Sequence, residues 1–242
     1  MNDFPETADI ETSSDDYASR FKGSSGQWLL DVQEQIALDL LKKQSPPCRT
    51  VLEVGGGHGQ LAIPLVRDGY EVTITGSAPS CEHRVMSITQ SGKAKFVIAN
   101  NIALPFPDKS FDAVFCFRLI THCDQWPVLI KELCRVARHC VIADYPTSQS
   151  VNAIAPALFN AKKKFEVNTR TWTLFRHEQI RHEFEKNGWK LADHRGQFFF
   201  PMVIHRMLKC RPVSASLEGI TRLLGLNNWL GSPVIVRMTP KA

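Results

Sequence analysis

Apolar positions change period along the chain, and the changes divide it into elements. Leu29, Val32, Ile36 and Leu40 recur at helical spacing between Ser24-Ser25 and Pro46-Pro47, which predicts a helix over about 26–43. A β-branched run follows at 50–54 and then the turn GGGHG at 55–59. Leu61, Leu65 and Val66 share one face of the helix expected next. Further apolar runs predict strands at 71–75, 95–99, 111–117 and 140–143, with helices near 80–90 and 125–138 between them. Asp124 is placed to cap the second of these helices, and Pro127 sits in its first turn. Beyond residue 150 the pattern loosens. Helices are expected near 151–164 and 177–187, a strand from Trp189 to about Phe199, helical turns over 203–210 and 215–224, and a last strand over 232–238. Strands alternating with helices in this way predict an α/β chain built on a doubly wound, mostly parallel sheet.

Composition adjusts that picture at the N-terminus. Residues 1–16 are rich in Asp, Glu, Ser and Thr and poor in large apolar groups, so disorder is expected there. The same acidic start lacks the basic and apolar stretches of a secretory signal, and no run of about 18 apolar residues exists. A cytoplasmic protein without a membrane span is the expectation. Seven cysteines form no CxxC pair and lie mostly in apolar runs, which reads as buried free thiols. The histidines show no zinc-like spacing, so no metal is expected.

Charge is uneven. The formal net charge is +5, yet residues 151–242 carry 15 Lys and Arg against 6 Asp and Glu. A basic third of the chain suits an anionic substrate or surface, or is a solvated basic face. It contains no recognisable RNA-binding module, so no nucleic-acid partner is expected. Oligomeric state is not legible.

The chemistry starts at VLEVGGGHGQLA, residues 51–62. Glycines at 55, 57 and 59 let the backbone turn sharply and approach a ligand, at the carboxyl end of a strand where such sheets bind ligands. A dinucleotide fingerprint needs a third glycine at position 60, where Gln60 stands, and no phosphate-binding P-loop exists.

The spacing E-x-G-x-G-x-G resembles the class I S-adenosylmethionine-dependent methyltransferases. So does NNIALPFPDKSFDAVFCFRLITHC at 100–123, and KELCRVAR at 131–138 is similar to the family's following helix. The resemblance covers about 50–145 and is nearest the type 11 and quinone-methyltransferase branch. It implies a Rossmann-like seven-stranded sheet with helices on both faces and a C-terminal antiparallel strand. The methyltransferase domain would then run over 46–242, with 17–45 as a helical lid and 146–230 partly forming acceptor-pocket inserts.

The resemblance also implies site roles. Gly55, Gly57 and Gly59 line the amino-acid end of S-adenosylmethionine, and Glu53 engages its ammonium. Asn100, Asn101 and Ile102 flank the adenine, Phe117 and Arg118 border the methyl, and Tyr17 closes the lid with Arg20. His122 is the candidate general base; Tyr145 and Arg206 are candidates for the acceptor pocket. One departure stands out: the carboxylate that usually ends the second strand and holds the ribose is replaced by Gly76-Ser77, leaving Ser77 to bond one hydroxyl or Glu82 to reach back. The expected activity is methyl transfer to a small, partly apolar or lipid-like, and anionic or neutral acceptor, with S-adenosylhomocysteine as product. The alternatives are a catalytically degenerate binding or regulatory protein, which the missing carboxylate favours, and an RNA methyltransferase, which only the basic C-terminal third favours.

Overall fold

A computed structural model describes residues 4–151 and 172–241. The elements are α1 (Ala8–Thr12), α2 (Asp15–Ser19), α3 (Gly23–Lys42), β1 (Thr50–Val54), α4 (Ala62–Arg67), β2 (Glu71–Gly76), a 3₁₀ segment (Pro79–Val85), α5 (Met86–Thr89), β3 (Ala94–Ile98) and β4 (Phe111–Cys116). A second 3₁₀ turn (Ile120–His122) follows, then α6 (Trp126–Val136), β5 (Ala137–Tyr145), α7 (His177–Lys186), β6 (Trp189–Gly196), α8 (Met202–Leu208), α9 (Arg211–Leu223), α10 (Leu226–Leu230) and β7 (Val234–Pro240). The helix expected near 151–164 and the basic cluster Lys162-Lys163-Lys164 fall almost wholly outside the described residues.

One seven-stranded sheet runs in the order β3-β2-β1-β4-β5-β7-β6. The first five strands are mutually parallel, and β7 lies antiparallel between β5 and β6. This is the doubly wound architecture expected, with the antiparallel strand in its expected place. The strand order reverses at β1, which pairs with both β2 and β4. Central strands are buried on both faces, so β1 and β4 read as continuous apolar runs rather than alternating ones. Edge strand β6 carries Lys190, Asp193 and Arg195 and is largely exposed, which suits an unpaired edge.

Two apolar layers sandwich the sheet. One contains Val54, Leu119, Leu129, Leu133 and Phe184; the other contains Leu41, Leu65, Phe115 and Ile142. A smaller cluster of Phe21, Trp28, Leu29, Val32 and Phe198 ties α3 to the C-terminal helices.

Three elements differ from expectation. The helix near 80–90 is a 3₁₀ segment with only one α-helical turn after it, opening with Pro79 and an i→i+3 bond from Cys81 N to Ala78 O of 3.1 Å. Strand β6 stops at Gly196, short of Phe199. There the Asn227 carbonyl approaches the backbone so closely that a Cβ has no room, and Phe198 turns into the core. The largest difference is N-terminal. Disorder was expected over 1–16, but residues 4–16 contain α1 and the start of α2, and Ala8, Asp9 and Thr12 are buried. Composition counts apolar surface, whereas α1 is held by polar donors at the edge of the sheet.

Candidate active site at the carboxyl edge of the sheet

The site is built where β1 gives way to α4. Gly55 and Gly59 have φ of +67° and +76°, a region that disfavours any side chain. Gly56 N bonds Thr75 O on β2 at 3.2 Å, which holds the turn against the neighbouring strand end. Gly56 also needs its missing Cβ: one would come within 2.5 Å of Glu53 Cγ, because the Glu53 side chain folds back over the turn.

Glu53 is buried, and its Oε2 has no hydrogen-bond partner among the described residues. Burial pushes its carboxyl up to about 8, against a backbone N–H from Ala62 and the charge of Arg118. A buried oxygen without a donor is costly, and here it faces the switch point of the sheet. Asp144, at the end of β5, is also raised by burial, to about 6, while the Arg118 backbone N–H, the Arg118 charge and Gln33 pull it down.

Arg118 organises the other wall. Its φ is +59°, and its N–H donates to Asp144 Oδ1 at 2.6 Å. The guanidinium donates from Nη2 to Gln33 Oε1 at 2.8 Å and to Gln60 Oε1, and it lies 4.5 Å from the Phe21 ring centre. Nη1 is buried without a partner among the described residues. His58 adds two more unpartnered nitrogens and packs edge-on against Tyr17 and Phe21, each at 5.8 Å. Burial first, then the Arg118 and Arg84 charges, hold His58 down at about 2, so it stays neutral.

The N-terminal helix α1 lies across the same edge. Asp9 is fully buried. Its Oδ2 accepts from Ser77 N at 2.5 Å and Cys81 Sγ at 3.5 Å; its Oδ1 accepts from Ser77 Oγ at 2.6 Å and Asn101 Nδ2 at 3.2 Å. The ends of β2 and β3 therefore share one carboxylate supplied from outside the sheet. Gly76 itself has no space for one: a Cβ there would come 2.5 Å from Cys81 Cβ and 2.8 Å from Phe96 Cζ. With α1 in place, Thr12, Glu53, Gly55, Gly56, His58, Gln60, Leu61, Phe117 and Arg118 enclose a void of about 10 Å³, the scale of one water molecule.

The sequence-derived candidates separate into groups. Glu53, the glycine turn, Ser77, Asn101, Phe117, Arg118 and Tyr17 converge on this edge. Asn100 sits beside them, but its Oδ1 accepts from Ile102 N at 3.2 Å and closes a local turn, while Ile102 packs on the core. His122 lies on the 3₁₀ turn after β4 and does not line the void. Tyr145 is buried, and its hydroxyl pairs with His177 Nδ1 at 2.9 Å. Arg206 on α8 lies 5.6 Å from the Phe21 ring centre. Sequence reasoning missed Asp9 and Gln33. No local signal marks Asp9, because its partners lie 68 to 92 residues away.

The turn and Glu53 suit the amino-acid end of a nucleoside cofactor: Glu53 Oε2 is a buried acceptor with no donor among the described residues, and the glycines admit close approach. The nucleoside end would fall where α1 now lies, so the fit requires α1 to leave.

Comparison with known proteins agrees with this arrangement. Residues 52–140 match the family model described as a methyltransferase domain. The chain is 37% identical over 105 residues to 2-methyl-6-phytyl-1,4-hydroquinone methyltransferase of Synechocystis, covering 41% of this chain and 33% of that protein. It is 28% identical over 160 residues to an O-methyltransferase of Pyrenophora dematioidea, covering 57% and 59%. Thus it spans between a third and three-fifths of these relatives' own lengths. Magnesium protoporphyrin IX methyltransferase from Synechocystis, solved with S-adenosylhomocysteine bound, superposes with a TM-score of 0.64 at 14% identity, over 96% of this chain and 98% of that one. Such a likeness speaks for the fold, and the sequence match speaks for the glycine edge. Residues 52–140 thus match a methyltransferase domain, set in a sheet with the class I methyltransferase fold.

Proposed function

We propose that this protein is an S-adenosylmethionine-dependent methyltransferase acting on a small, partly apolar acceptor. The observation that carries the reading is the unpartnered, buried Glu53 carboxyl behind the glycine turn, at the switch point of a sheet whose sequence matches the methyltransferase family. The cofactor would bring an activated sulfonium methyl, so the protein's task is to align the acceptor behind it and exclude water. Glu53 would hold the ammonium, and Gly55, Gly57 and Gly59 would pack against the same end. Ser77, Asn101 and Ile102 would face the nucleoside, with Phe117 and Arg118 beside the methyl. Tyr17 and Phe21 would cover Arg118 and keep the site dry. His122 is the proposed base where the acceptor is a phenol or alcohol, and Tyr145 and Arg206 the proposed acceptor-side residues. The relatives named for a phytyl hydroquinone and for O-methylation support a hydroquinone-like or hydroxyl-bearing acceptor.

Binding would require α1 to withdraw, because Asp9 takes up Ser77 N, Ser77 Oγ and Asn101 Nδ2. A protein whose competent state is the minor one shows weakened apparent affinity in proportion. The same contact favours a second reading, a non-catalytic protein whose cofactor edge is permanently occupied.

Calorimetric titration with S-adenosylmethionine and S-adenosylhomocysteine separates the two. The enzyme reading expects micromolar binding by the wild type. It expects weakening of about tenfold or more in Glu53→Ala and tighter binding in Asp9→Ala. Absence of binding at millimolar cofactor in both the wild type and Asp9→Ala would sink the enzyme reading in favour of the second.

A further inference from the structure

The C-terminal helices bury their polar side chains and expose their apolar ones. On α9, Ser214, Glu218 and Thr221 point inward and are buried. Val213, Leu217, Ile220 and Leu224 fall on one stripe of the same helix, and of these Val213, Ile220 and Leu224 are exposed. Next to the stripe, Leu223 is 90% exposed, and α8 and α10 add Met207 at 75% and Trp229 at 81%. Isolated exposed leucines are ordinary; a run of large apolar groups over three consecutive helices is not.

The orientation is enforced. Glu218 accepts from Phe199 N and Phe200 N, both at 2.9 Å, from Asn227 Nδ2 at 2.7 Å, and pairs with His205 Nε2 at 3.0 Å. His205 in turn packs edge-on against Trp28 of α3 at 5.2 Å. Rotating α9 to hide its leucines would strand that carboxylate and its donors in the interior. The apolar face is therefore outward by construction and needs a covering from outside the described chain.

Charge selects the covering. Between residues 201 and 231 the only acidic side chain is the buried Glu218, while Lys209, Arg211 and Arg222 are exposed. Arg211 stands 3.7 Å from Asp31 of α3. A second copy meeting this face across a two-fold axis would set a surface that carries Lys209, Arg211 and Arg222 against the same cationic surface. An anionic, apolar surface satisfies both requirements at once. Leucines and a tryptophan enter the acyl boundary while the long cationic side chains remain at the headgroups.

We propose that the α8–α10 face docks this protein on anionic lipid bilayers. The proposal does not rest on methyl transfer. It is carried by the inverted helix and its cationic surround, so vesicle binding tests it whatever the activity. The geometry also links the face to the site: Arg206 of α8 and Arg118 lie 5.6 and 4.5 Å from the ring of Phe21.

The test is flotation of the full chain with vesicles of phosphatidylcholine alone and of phosphatidylcholine mixed with phosphatidylglycerol. The protein is expected to float with the mixed vesicles, weakly or not at all with the neutral ones, and to be released as salt rises. Leu223→Asp with Trp229→Ser should reduce the bound fraction at least tenfold with an unchanged melting curve, since both side chains face solvent. Lys209→Glu should reduce binding by a smaller factor of about fivefold. Failure of the wild type to float with either vesicle would overturn the proposal, as would equal binding by the double variant. So would lipid binding unaffected by the double variant while sedimentation shows it converting a dimer to a monomer, which would assign the face to a second copy.

Discussion

Glu53 and Glu218 are both buried carboxylates, one behind the glycine turn and one among the C-terminal helices, and their partners differ. Glu218 has four protein donors within 3.0 Å. Burial raises its carboxyl, but His205 and the Phe199 and Phe200 N–H groups outweigh that and leave it below the usual range. Glu53 keeps one oxygen without a partner among the described residues, and burial dominates, lifting it to about 8. A carboxylate that the protein satisfies completely fixes geometry; one that it leaves half satisfied is poised for a ligand. The two residues are the same type and both are buried, and what separates them is the set of donors each one meets.

The strongest challenge to this contrast is Glu218→Ala. It leaves His205, Asn227 and two backbone N–H groups without their buried acceptor and should destabilise the protein by about 3–5 kcal/mol in chemical denaturation. A loss below about 1 kcal/mol would mean that the cap is not pinned. Glu53 should behave in the opposite way with pH. Its folded carboxyl, at about 8, holds a proton that the unfolded chain, near the ordinary carboxyl value of 4.5, has released. The folded state thus binds more protons between those limits, and stability present at low pH is lost as pH rises through about 8. Comparing wild type with Glu53→Gln from pH 5 to pH 8 should show a falling difference of roughly 3 kcal/mol without cofactor. A flat difference would remove the proposed poise. The smallest effect tests why the edge borrows its carboxylate from α1. Gly76→Asp restores the family's residue but meets Cys81 and Phe96. It should destabilise by about 2 kcal/mol through overpacking and leave S-adenosylmethionine affinity no better, as titration of the folded variant would show.

Legibility followed the range of the interactions. The glycine turn is a local device whose residues are contiguous, so 55–59 declared the site edge directly. Strands β1 to β5 were legible because a buried parallel sheet needs uninterrupted apolar runs. Phe117 and Arg118 were legible by position after β4, although the role of Arg118 in clasping Gln33, Gln60 and Asp144 was not. Asp9 was invisible: a carboxylate in an acidic, serine-rich stretch carries the composition of disorder, and its meaning comes from Ser77 and Asn101 far along the chain. Likewise α9 reads in sequence as an ordinary amphipathic helix. Periodicity gives the two faces but not which one points inward.

By itself, then, the sequence determined the order of strands and helices, the doubly wound class, the glycine edge and the absence of a carboxylate at Gly76. Tertiary structure alone decided that Asp9 fills that absence, that Glu53 is left half satisfied, and that the apolar face of α9 looks outward. The reason is physical. Backbone periodicity and turn chemistry act between neighbours, whereas the pairing of buried polar groups is settled between residues the chain brings together only on folding.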